Sequence, residues 1–504
     1  MLDLKRLRAL SRGILTGLNR GVEKESLRVR PDGALATTPH PPLLGSALTH
    51  PFVTTDFSES QLELITGVHP SGEACLRELT EIHQVVYRMI GDELLWCARM
   101  PCRLPKDDAI PIGQYGTSNL GRAKSVYRRG LAHRYGRRMQ TISGIHYNFS
   151  LPEPVDNDAY FALIRNFRRH SWLLLYLFGA SPAVCACFVE GRQHELQRLR
   201  DDTYYLPFAT SLRMGRLGYQ SDAQSSLAVS YNSLDSYGAS LQDALTRPYA
   251  AYEKIGIRDG DEYRQLSTTL LQIENEFYGT IRPKRRIRQG ERPLHALRER
   301  GVEYVEVRLM DLDPFEQVGI NADTMRMLDV YLLYALLSDS PPDDSREIAA
   351  NARNQHRVAS RGREPGLELE RGAEAIALVE WGRELLGECT PIAAALDAAN
   401  ATDAYAKALR NAVASLDDPS STPSARVLKA MADGYDHSYS RFVLAQSKRH
   451  RDAICALPLA PDVEERSARQ AVESREKQRE TEAADTMPFE IYRQKYLDPA
   501  RLGR

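Results

Sequence analysis

Apolar and polar residues alternate in several short stretches of the first two thirds of the chain, and this period of two predicts strands. We expect strands at residues 21–30 and 140–151, and two short strands within 44–66. Two further β-like stretches lie at 271–281 and 302–309. Because successive strand side chains point to opposite faces, the residues of each strand divide between two sides.

The last third of the chain is rich in alanine, leucine, glutamate and arginine. Its spacing predicts helices at 323–337 and 372–386, and an almost wholly charged surface helix at 462–486. Together with the strands, these patterns predict an α+β fold with a catalytic core at 1–320 and a mainly helical supporting region at 321–504.

Helical spacing also appears within the core, at residues 76–92 and 158–178. The second helix is expected to end at Gly179, since glycine commonly follows the last helical turn. These helices lie between the predicted strands.

Composition narrows the class of protein. The chain has 504 residues, of which 42% are hydrophobic and 26% charged, with a net charge of −1. A net charge this close to zero creates no electrostatic attraction to nucleic acid or to an anionic membrane. No apolar run reaches the roughly 18 residues of a membrane span. We expect a cytoplasmic protein that binds small molecules, neither nucleic acid nor membrane, and is a monomer or weak oligomer.

The cysteines fit a reducing compartment. Seven is an odd number, and the apolar run around two of them predicts buried free thiols. A structural zinc site is not expected, because no paired ligands occur at the usual spacing. The cysteines are Cys75, Cys97, Cys102, Cys185, Cys187, Cys389 and Cys455.

Carboxylates recur on the polar sides of the predicted strands. Glu23 and Glu25 point the same way in a strand, and two neighbouring carboxylates repel each other unless a cation lies between them. Glu63 lies on the polar side of a half-buried strand and needs a partner. The alternatives are a solvated strand edge for the first pair and an exposed helix, with Glu59 one turn before Glu63, for the second.

Two later strands carry further candidates. His146 shares a face with Asn148, and Glu306 shares one with Arg308. The alternatives are a buried histidine of the core and an ion pair across the sheet. Taken with the other glutamates, an oxygen-rich set with one imidazole suits magnesium or manganese better than zinc.

The sequence contains neither of two common glycine-rich motifs that bind phosphate. The chain lacks both the Gly-x4-Gly-Lys-Ser/Thr loop and a Gly-x-Gly-x-x-Gly turn that opens a helix. The basic run at 282–286 is suited to hold phosphates or a carboxylate, and a solvated loop is the alternative. Any nucleotide is therefore expected to be held by metal ions and scattered cations.

Many short segments resemble one family. They include RGVEKESLR at 20–28, HYNFS at 146–150, YLFGASP at 176–182, QIENE at 272–276 and IRPKR at 281–285. Further segments lie at 45–50, 54–57, 114–119, 139–144, 209–213 and 482–489. The chain resembles the proteobacterial glutamate–cysteine ligases over essentially its whole length, except for a shorter segment at 151–162 and a loose match at 341–399.

The resemblance implies a fold and a reaction. The fold is similar to that of glutamine synthetase, with a curved antiparallel sheet that forms a funnel-shaped active site surrounded by helices. The reaction joins the γ-carboxylate of glutamate to the amine of cysteine with ATP and Mg²⁺, which Mn²⁺ can replace, and begins glutathione synthesis. Glutathione is the expected feedback inhibitor.

The resemblance also implies roles for individual residues. Arg308 matches a catalytic cation near the transferred phosphoryl group, and Arg282 and Lys284 match ATP-binding positions. The metal-site pattern is matched by Glu23, Glu25, Asp56, Glu63, His146 and Glu306. The amino-acid pockets are matched by Phe57, Tyr127, Gln140, Arg213, Tyr219 and Tyr278.

Three alternatives remain open at this point. The first is a ligase of the same fold that uses another amine. The second is a metal-dependent phosphohydrolase that uses the same carboxylates, and the third is a catalytically inactive homologue, although the intact acidic set argues against it. The products formed from ATP, glutamate and cysteine separate these activities.

Overall fold

The computed structural model describes residues 1–215, 217, 223, 227, 229–288 and 290–503. The helices are α1 Leu4–Ala9, α2 Arg12–Thr16, α3 Gly72–Met89, α4 Asn119–Tyr135, α5 Asn157–Phe178, α6 Ala186–Val189, α7 Leu234–Thr246, α8 Ala250–Ile255, α9 Pro293–Arg300, α10 Ala322–Leu337, α11 Ser345–Arg361, α12 Leu378–Asn400, α13 Ala404–Asp417, α14 Pro423–Gly434, α15 Tyr439–Ala456, α16 Pro461–Ala483 and α17 Phe489–Leu497. The strands are β1 Asn19–Val29, β2 Val53–Thr55, β3 Gln61–Ile65, β4 Leu94–Leu95, β5 Ile145–Ser150, β6 Ala183–Cys185, β7 Gln197–Arg200, β8 Thr203–Tyr205, β9 Arg258–Asp259, β10 Glu262–Tyr263, β11 Ile281–Lys284, β12 Tyr304–Met310, β13 Glu368–Arg371 and β14 Glu374–Ala377.

The main sheet is antiparallel. Among the described residues it contains seven strands in the order β11-β12-β5-β1-β3-β2, and β4 pairs with the end of β1. The register places Glu23 opposite His146 and Glu25 opposite Glu63. On the other edge of β5, Asn148 lies opposite Glu306. The candidate side chains of four strands therefore meet near the middle of the sheet.

The opposite face of the sheet is buried and mostly apolar, although β1 also places Arg20, Lys24 and Arg28 on it. Val22, Leu62, Tyr147 and Val307 alternate with the candidate residues, and each is 0% exposed. Helix α3 packs on β1 and β3, and α5 packs on β11 and β12. Burial of each side chain stabilises the fold by about 1.5–3 kcal/mol. A slip of one residue would place carboxylates in this core, so the apolar face fixes the register of the polar one.

Helix α5 is the main support behind the sheet. The Asp156 carboxylate caps its start by accepting a hydrogen bond from the Ala159 N–H at 2.7 Å, and the helix ends before Gly179 as predicted. Helix α10 packs along α5, and the Tyr331 hydroxyl donates to the Phe167 carbonyl at 3.0 Å. Among the helices of the described ranges, none has both the length and the apolar composition that crossing a bilayer requires.

Most predicted elements are confirmed within a few residues. They are the strands at 21–30, 44–66 and 302–309, and the helices at 76–92, 158–178, 323–337 and 462–486. These elements have either strong alternation or long helical periodicity, so local pattern and tertiary burial agree.

The strand predicted at 271–281 is wrong. Glu274–Glu276 forms a 3₁₀ turn, and a strand begins only at the last residue of the stretch. The buried Glu276 carboxylate accepts a hydrogen bond from the Gln272 N–H at 2.7 Å and pairs with Arg134 at 2.8 Å. These contacts draw the backbone into a turn, which an alternating pattern does not reveal.

Two other predictions are only partly right. The first residues of 140–151 belong to a 3₁₀ turn, Arg138–Thr141, which the Asp107 carboxylate stabilises by accepting two backbone N–H groups. The stretch 372–386 begins as the second strand of a hairpin and becomes helical afterwards. Gly372, whose φ is +66°, makes the tight turn of that hairpin.

The basic run at 282–286 is not simply a solvated loop. Arg282, Pro283 and Lys284 lie in β11, and Arg282 is only 7% exposed. Pro283 lies opposite Val305. Because β11 is an edge strand, a missing N–H is tolerated there. The first half of the run is therefore part of the sheet and faces β12.

The charged C-terminal helix α16 is exposed along most of its length, yet it also contacts the core. The Ser474 hydroxyl accepts a hydrogen bond from the Ser46 N–H at 3.0 Å, and Glu482 accepts one from the Thr117 N–H at 2.8 Å. Gly45 meets this helix so closely that a Cβ atom there would lie 2.4 Å from the Ser474 hydroxyl. The helix therefore fastens two loops that precede β2 and α4.

The thiol prediction is confirmed for most positions. All seven cysteines are free, and five of them are buried. Cys187 is half-buried, whereas Cys455 is exposed, which corrects the expectation for that position.

A buried ion pair connects the sheet to the helices behind it. Arg20 of β1 and Asp329 of α10 lie 2.7 Å apart, with 2% and 1% of their side chains exposed. The Tyr147 hydroxyl also donates to Asp329 at 2.7 Å. Removal of one partner would leave a buried charge without compensation.

We therefore expect Asp329→Ala to lower the free energy of unfolding by about 3–5 kcal/mol. The control is Asp417→Ala, which removes a pair to Arg383 at 2.6 Å in which both side chains are 55% exposed. The control should change stability by less than about 1 kcal/mol. Urea titrations followed by circular dichroism measure both, and equal losses would contradict the assigned importance of the buried pair.

Candidate active site

A cavity of about 940 Å³ lies against the polar face of the sheet. Every predicted site residue within the described ranges lines it, whereas Tyr219 lies outside those ranges. The lining residues among the predictions are Glu23, Glu25, Asp56, Phe57, Glu63, Tyr127, Gln140, His146, Arg213, Tyr278, Arg282, Lys284, Glu306 and Arg308. The fold thus brings together residues from distant parts of the sequence, while their individual roles remain predictions.

His146 is at the centre of the acidic part of this cavity. Its Nδ1 lies 3.2 Å from Glu23 Oε2 and 4.0 Å from Glu306 Oε1, and its Nε2 lies 3.5 Å from Glu25 Oε1. The Asn148 amide donates to Glu23 Oε1 at 2.9 Å. The histidine is only 3% exposed, so these groups interact with little solvent between them.

Three of the glutamates, Glu25, Glu63 and Glu306, differ in their electrostatic surroundings. Burial and the neighbouring Asp56 raise the pKa of Glu25 to about 8. Burial and Glu23 raise the pKa of Glu63 well above its usual range. Burial also disfavours ionised Glu306, but Lys284 and the nearby arginines outweigh it and hold the pKa well below the usual range.

The nearby arginines therefore supply too little positive charge to keep the pKa values of Glu25 and Glu63 in their usual range. A divalent cation supplies such charge, and hard oxygen ligands with one imidazole are the donors that Mg²⁺ and Mn²⁺ accept. One ligand atom from each of Glu23, His146 and Glu306 lies within 4.8 Å of the other two, close enough to share an ion. The residues present thus fit a magnesium or manganese site.

Asp56 and Phe57 lie in the turn between β2 and β3. The Asp56 N–H donates to the Gln61 carbonyl at 3.0 Å, and the Gly113 N–H donates to the Phe57 carbonyl at 2.9 Å. These bonds close the turn and direct its residues to the cavity beside Glu63.

Cations lie next to the acidic cluster on β11 and β12. Arg308 Nη1 donates to Glu306 Oε2 at 3.0 Å, and Lys284 Nζ lies 3.2 Å from Glu306 Oε1. Arg282 donates to the carbonyl of Asn275 at 3.0 Å. All three residues line the cavity, and their positive charge suits an anionic ligand.

A polar group lies at another part of the wall. Arg213 Nη1 donates to the backbone carbonyl of Arg308 at 3.2 Å, so its guanidinium adjoins β12. The Gln140 amide and the Tyr278 hydroxyl are hydrogen-bonded at 3.1 Å. Tyr127 lines the same cavity from α4. Planar cations and aromatic hydroxyls of this kind suit an amino-acid ligand.

The sequence reasoning missed several lining residues. Lys124 and Arg128 lie on the same face of α4 as Tyr127, and burial lowers the pKa of Lys124 to about 8. Their spacing of three and four residues on one helix is a signal that could have found them. Tyr492 and Tyr496 of α17, whose rings are stacked 6.0 Å apart, also line the cavity.

Comparison with known proteins agrees with this geometry. A model of the glutamate-cysteine ligase family matches residues 4–358. The proteins named glutamate–cysteine ligase of Alcanivorax borkumensis and Bordetella parapertussis are 46% and 48% identical over 97% and 95% of this chain, and over 98% and 94% of their own lengths. The chain belongs to the glutamate–cysteine ligase family.

Solved structures extend the family likeness to the fold. The crystal structure of the Francisella tularensis glutamate–cysteine ligase in complex with AMP has a TM-score of 0.91 and 36% identity, and covers 96% of this chain and 98% of that one. A bifunctional glutathione synthetase from Pasteurella multocida has a TM-score of 0.67 and 29% identity, and covers 88% of this chain and 53% of that one. The mixed helical and antiparallel-sheet architecture is therefore that of the glutamate–cysteine ligases.

The acidic cluster predicts how a divalent cation affects this family member. Saturating Mg²⁺ should stabilise the parent protein, by about 2.7 kcal/mol at a free concentration near 100 times the dissociation constant. Glu63→Gln should lose most of that gain because a ligand charge is removed. Without Mg²⁺ it should melt no lower than the parent, since the change relieves repulsion.

Thermal melts with MgCl₂ and with a chelator test this, and Glu303→Gln is the control. Glu303 pairs with Arg286 at 2.7 Å outside the cavity, so its variant should keep the full Mg²⁺ effect. An unchanged Mg²⁺ effect in Glu63→Gln would exclude this carboxylate from the metal site.

Proposed function

We propose that the chain joins the γ-carboxylate of L-glutamate to the amine of L-cysteine, with conversion of ATP to ADP and phosphate, through a γ-glutamyl phosphate. The product is γ-glutamylcysteine, the first intermediate of glutathione synthesis. Family membership supports the reaction. The bound AMP named in the Francisella tularensis structure supports a nucleotide substrate for that protein, and we extend it to this chain.

The observation that carries the proposal is the meeting of carboxylates and cations on one face of the sheet. Glu23, Glu25 and Glu306 lie around His146, and Glu63 lies opposite Glu25 on the next strand. Arg308 and Lys284 lie against Glu306. A reaction that moves a phosphoryl group between two anions needs this combination, since both ends of the transfer carry negative charge.

The metal-site pattern assigns Mg²⁺, or Mn²⁺ in its place, to the acidic part of the cavity. The proposed ligands are Glu23, Glu25, Asp56, Glu63, His146 and Glu306. When bound, the metal supplies positive charge that neutralises the ATP phosphates and the oxygens of the transferring group. We further propose that the curved sheet forms a funnel with nucleotide and metal at one end and amino acids at the other.

In the first step, a γ-carboxylate oxygen of glutamate attacks the terminal phosphorus of ATP, and ADP leaves. Arg308 lies beside Glu306 on the cavity wall and stabilises the charge on the transferring phosphoryl group. Arg282 and Lys284 hold the phosphates of ATP. The carboxylate thereby acquires a good leaving group, which an unmodified carboxylate lacks.

In the second step, the cysteine amine attacks the acyl carbon, inorganic phosphate leaves and the amine gives up a proton. Arg213 pairs with a substrate carboxylate, since its planar guanidinium suits a bidentate contact. Phe57, Tyr127, Tyr219 and Tyr278 surround the amino-acid pockets. Gln140 hydrogen-bonds Tyr278 and holds the ring in place.

The proposed division of the chain follows this chemistry. Residues 1–320 carry all the side chains given a role, and residues 321–504 support them. The second region also contributes to the cavity wall, through α11 residues such as Asn351 and through Tyr492 and Tyr496. Removal of the helical region is therefore expected to open the cavity as well as to destabilise the core.

The reaction makes a direct prediction about products. ADP release should require glutamate, and γ-glutamylcysteine should form only when cysteine is also present. Mass spectrometry of reactions that lack one component at a time measures both. ADP and phosphate at full rate without either amino acid would favour a phosphohydrolase. A product formed with another amine in preference to cysteine would favour a different ligase.

The two arginines are predicted to affect different kinetic constants. Arg213→Lys should raise the KM of an amino-acid substrate, because lysine cannot reproduce the paired hydrogen bonds of arginine. Arg308→Lys should mainly lower kcat, because its interaction is strongest in the transition state. Each loss is expected to be about 2–4 kcal/mol.

Steady-state kinetics and melting curves of both variants provide the check. If Arg308 served only as an ion-pair partner of Glu306, its variant would melt lower and turn over like the parent per folded molecule. That result would remove Arg308 from phosphoryl transfer.

Glutathione is proposed to inhibit by competition with glutamate. Its γ-glutamyl part presents the same amino-acid group to Arg213 and its neighbours. Glutathione should therefore raise the apparent KM for glutamate without changing kcat, in initial-rate measurements at several glutamate concentrations. Inhibition that persists at saturating glutamate would contradict a shared pocket.

A further inference from the structure

Asp311 follows directly after β12, three residues beyond Arg308, and lies behind the cavity wall. Its side chain is 0% exposed, and it is not among the residues that line the cavity. The carboxylate nevertheless has four partners from three parts of the chain. Oδ2 accepts the Ala180 N–H and the Ser181 hydroxyl, each at 2.8 Å. Oδ1 accepts the Ser211 hydroxyl at 2.9 Å and lies 3.1 Å from Arg99 Nη1.

The contact with Ser211 has an unusual consequence. Ser211 is the residue before the 3₁₀ turn Leu212–Met214, which carries Arg213. A serine in this position commonly caps the turn by accepting a backbone N–H. Here its side chain makes no capping bond and is directed to Asp311 instead. The orientation of the turn is therefore tied to the end of β12.

The position of Arg213 depends on the hydrogen bond between Ser211 and Asp311. Its side chain donates to the carbonyl of Arg308 on the same strand that ends at Asp311. The turn is thus fixed to β12 at two points, one through the Ser211 hydroxyl and one through Arg213 itself. A displacement of about 1 Å at a substrate-holding group is enough to reduce activity strongly.

We propose that Asp311 is a positioning residue for the amino-acid substrate, because through Ser211 it holds the turn that presents Arg213 to the cavity. The inference rests on the proposed function, in which Arg213 pairs with a substrate carboxylate. Asp311 itself does not touch substrate. Its effect should appear in substrate binding rather than in phosphoryl transfer, because Arg308 is held by other contacts. The Arg308 N–H donates to the Thr280 carbonyl at 2.8 Å, and its side chain donates to Glu306 at 3.0 Å.

Two serines provide a matched test. Ser211 and Ser181 are both 0% exposed, and each donates one hydrogen bond of nearly equal length to Asp311. Only Ser211 begins the turn that carries Arg213. Replacement of either serine by alanine removes one bond and keeps the Asp311 carboxylate, whereas Asp311→Asn would also remove the negative charge 3.1 Å from the buried Arg99.

Ser211→Ala is expected to raise the KM of the amino acid held by Arg213 about fivefold, with kcat within about twofold of the parent. Ser181→Ala should lower the melting temperature by a similar amount and leave that KM unchanged. Steady-state kinetics on the full chain, with the other substrates saturating, measures both constants. An unchanged KM in Ser211→Ala, or equal increases in both variants, would overturn the proposal.

A double-mutant cycle adds a readout that a loss of stability would not move. In an Arg213→Lys background, Ser211→Ala should change the KM by less than about twofold, because the guanidinium that Ser211 helps to position is already absent. A full fivefold effect in that background would show that Ser211 acts independently of Arg213 and would overturn the inference. Failure of the proposed function is distinct, since the parent would then form no γ-glutamylcysteine at all.

Discussion

Like charges brought together on a buried face are the constraint on which the rest of this structure depends. Glu23, Glu25 and Glu306 surround His146 with little solvent between them, and Glu63 lies opposite Glu25. Such a set is costly to bury unless positive charge accompanies it. The apolar reverse of the sheet, covered by α3 and α5, keeps the strands in the register that maintains this arrangement.

The protein's own cations offset the negative charge of some of these carboxylates more than that of others. Glu306 is kept ionised by Lys284 and Arg308, which belong to the protein. Glu25 and Glu63 have raised pKa values because the nearby arginines only partly offset burial and the repulsion of neighbouring carboxylates. A divalent ion is suited to this second group, and its charge is also what nucleotide phosphates require. One bound divalent ion would thus offset the negative charge of both the carboxylates and the nucleotide phosphates.

Alternation predicted which carboxylates share a face, but not that this face lines a site. In β3 and β12 the apolar neighbours of Glu63 and Glu306 are fully buried, so their polar side was readable from the sequence. In β1 the charged Lys24 lies on the opposite face, so alternation left a solvated strand edge open there. Strand order was not readable, because pairing joins residues more than a hundred positions apart. The resemblance to a known family, rather than spacing, supplied Arg213, Phe57 and the substrates.

The errors have physical causes of the same kind. At 271–281, the Glu276 carboxylate bends the chain by binding a backbone N–H and Arg134, and these partners become visible only in the folded state. The contribution of Tyr492 and Tyr496 of α17 to the cavity was missed because these residues are far along the chain from the strands and reach the cavity only in the folded state. Both cases depend on tertiary contacts that outweigh local pattern.

The central claim, that His146 and its surrounding glutamates bind the catalytic divalent ion, is tested most directly by pulsed electron paramagnetic resonance of the Mn²⁺-loaded protein. We expect a nitrogen coupling typical of a directly coordinated imidazole, which disappears in His146→Gln while Mn²⁺ remains bound through carboxylates. A spectrum without nitrogen coupling, or a coupling that persists in His146→Gln, would show that His146 does not coordinate the ion.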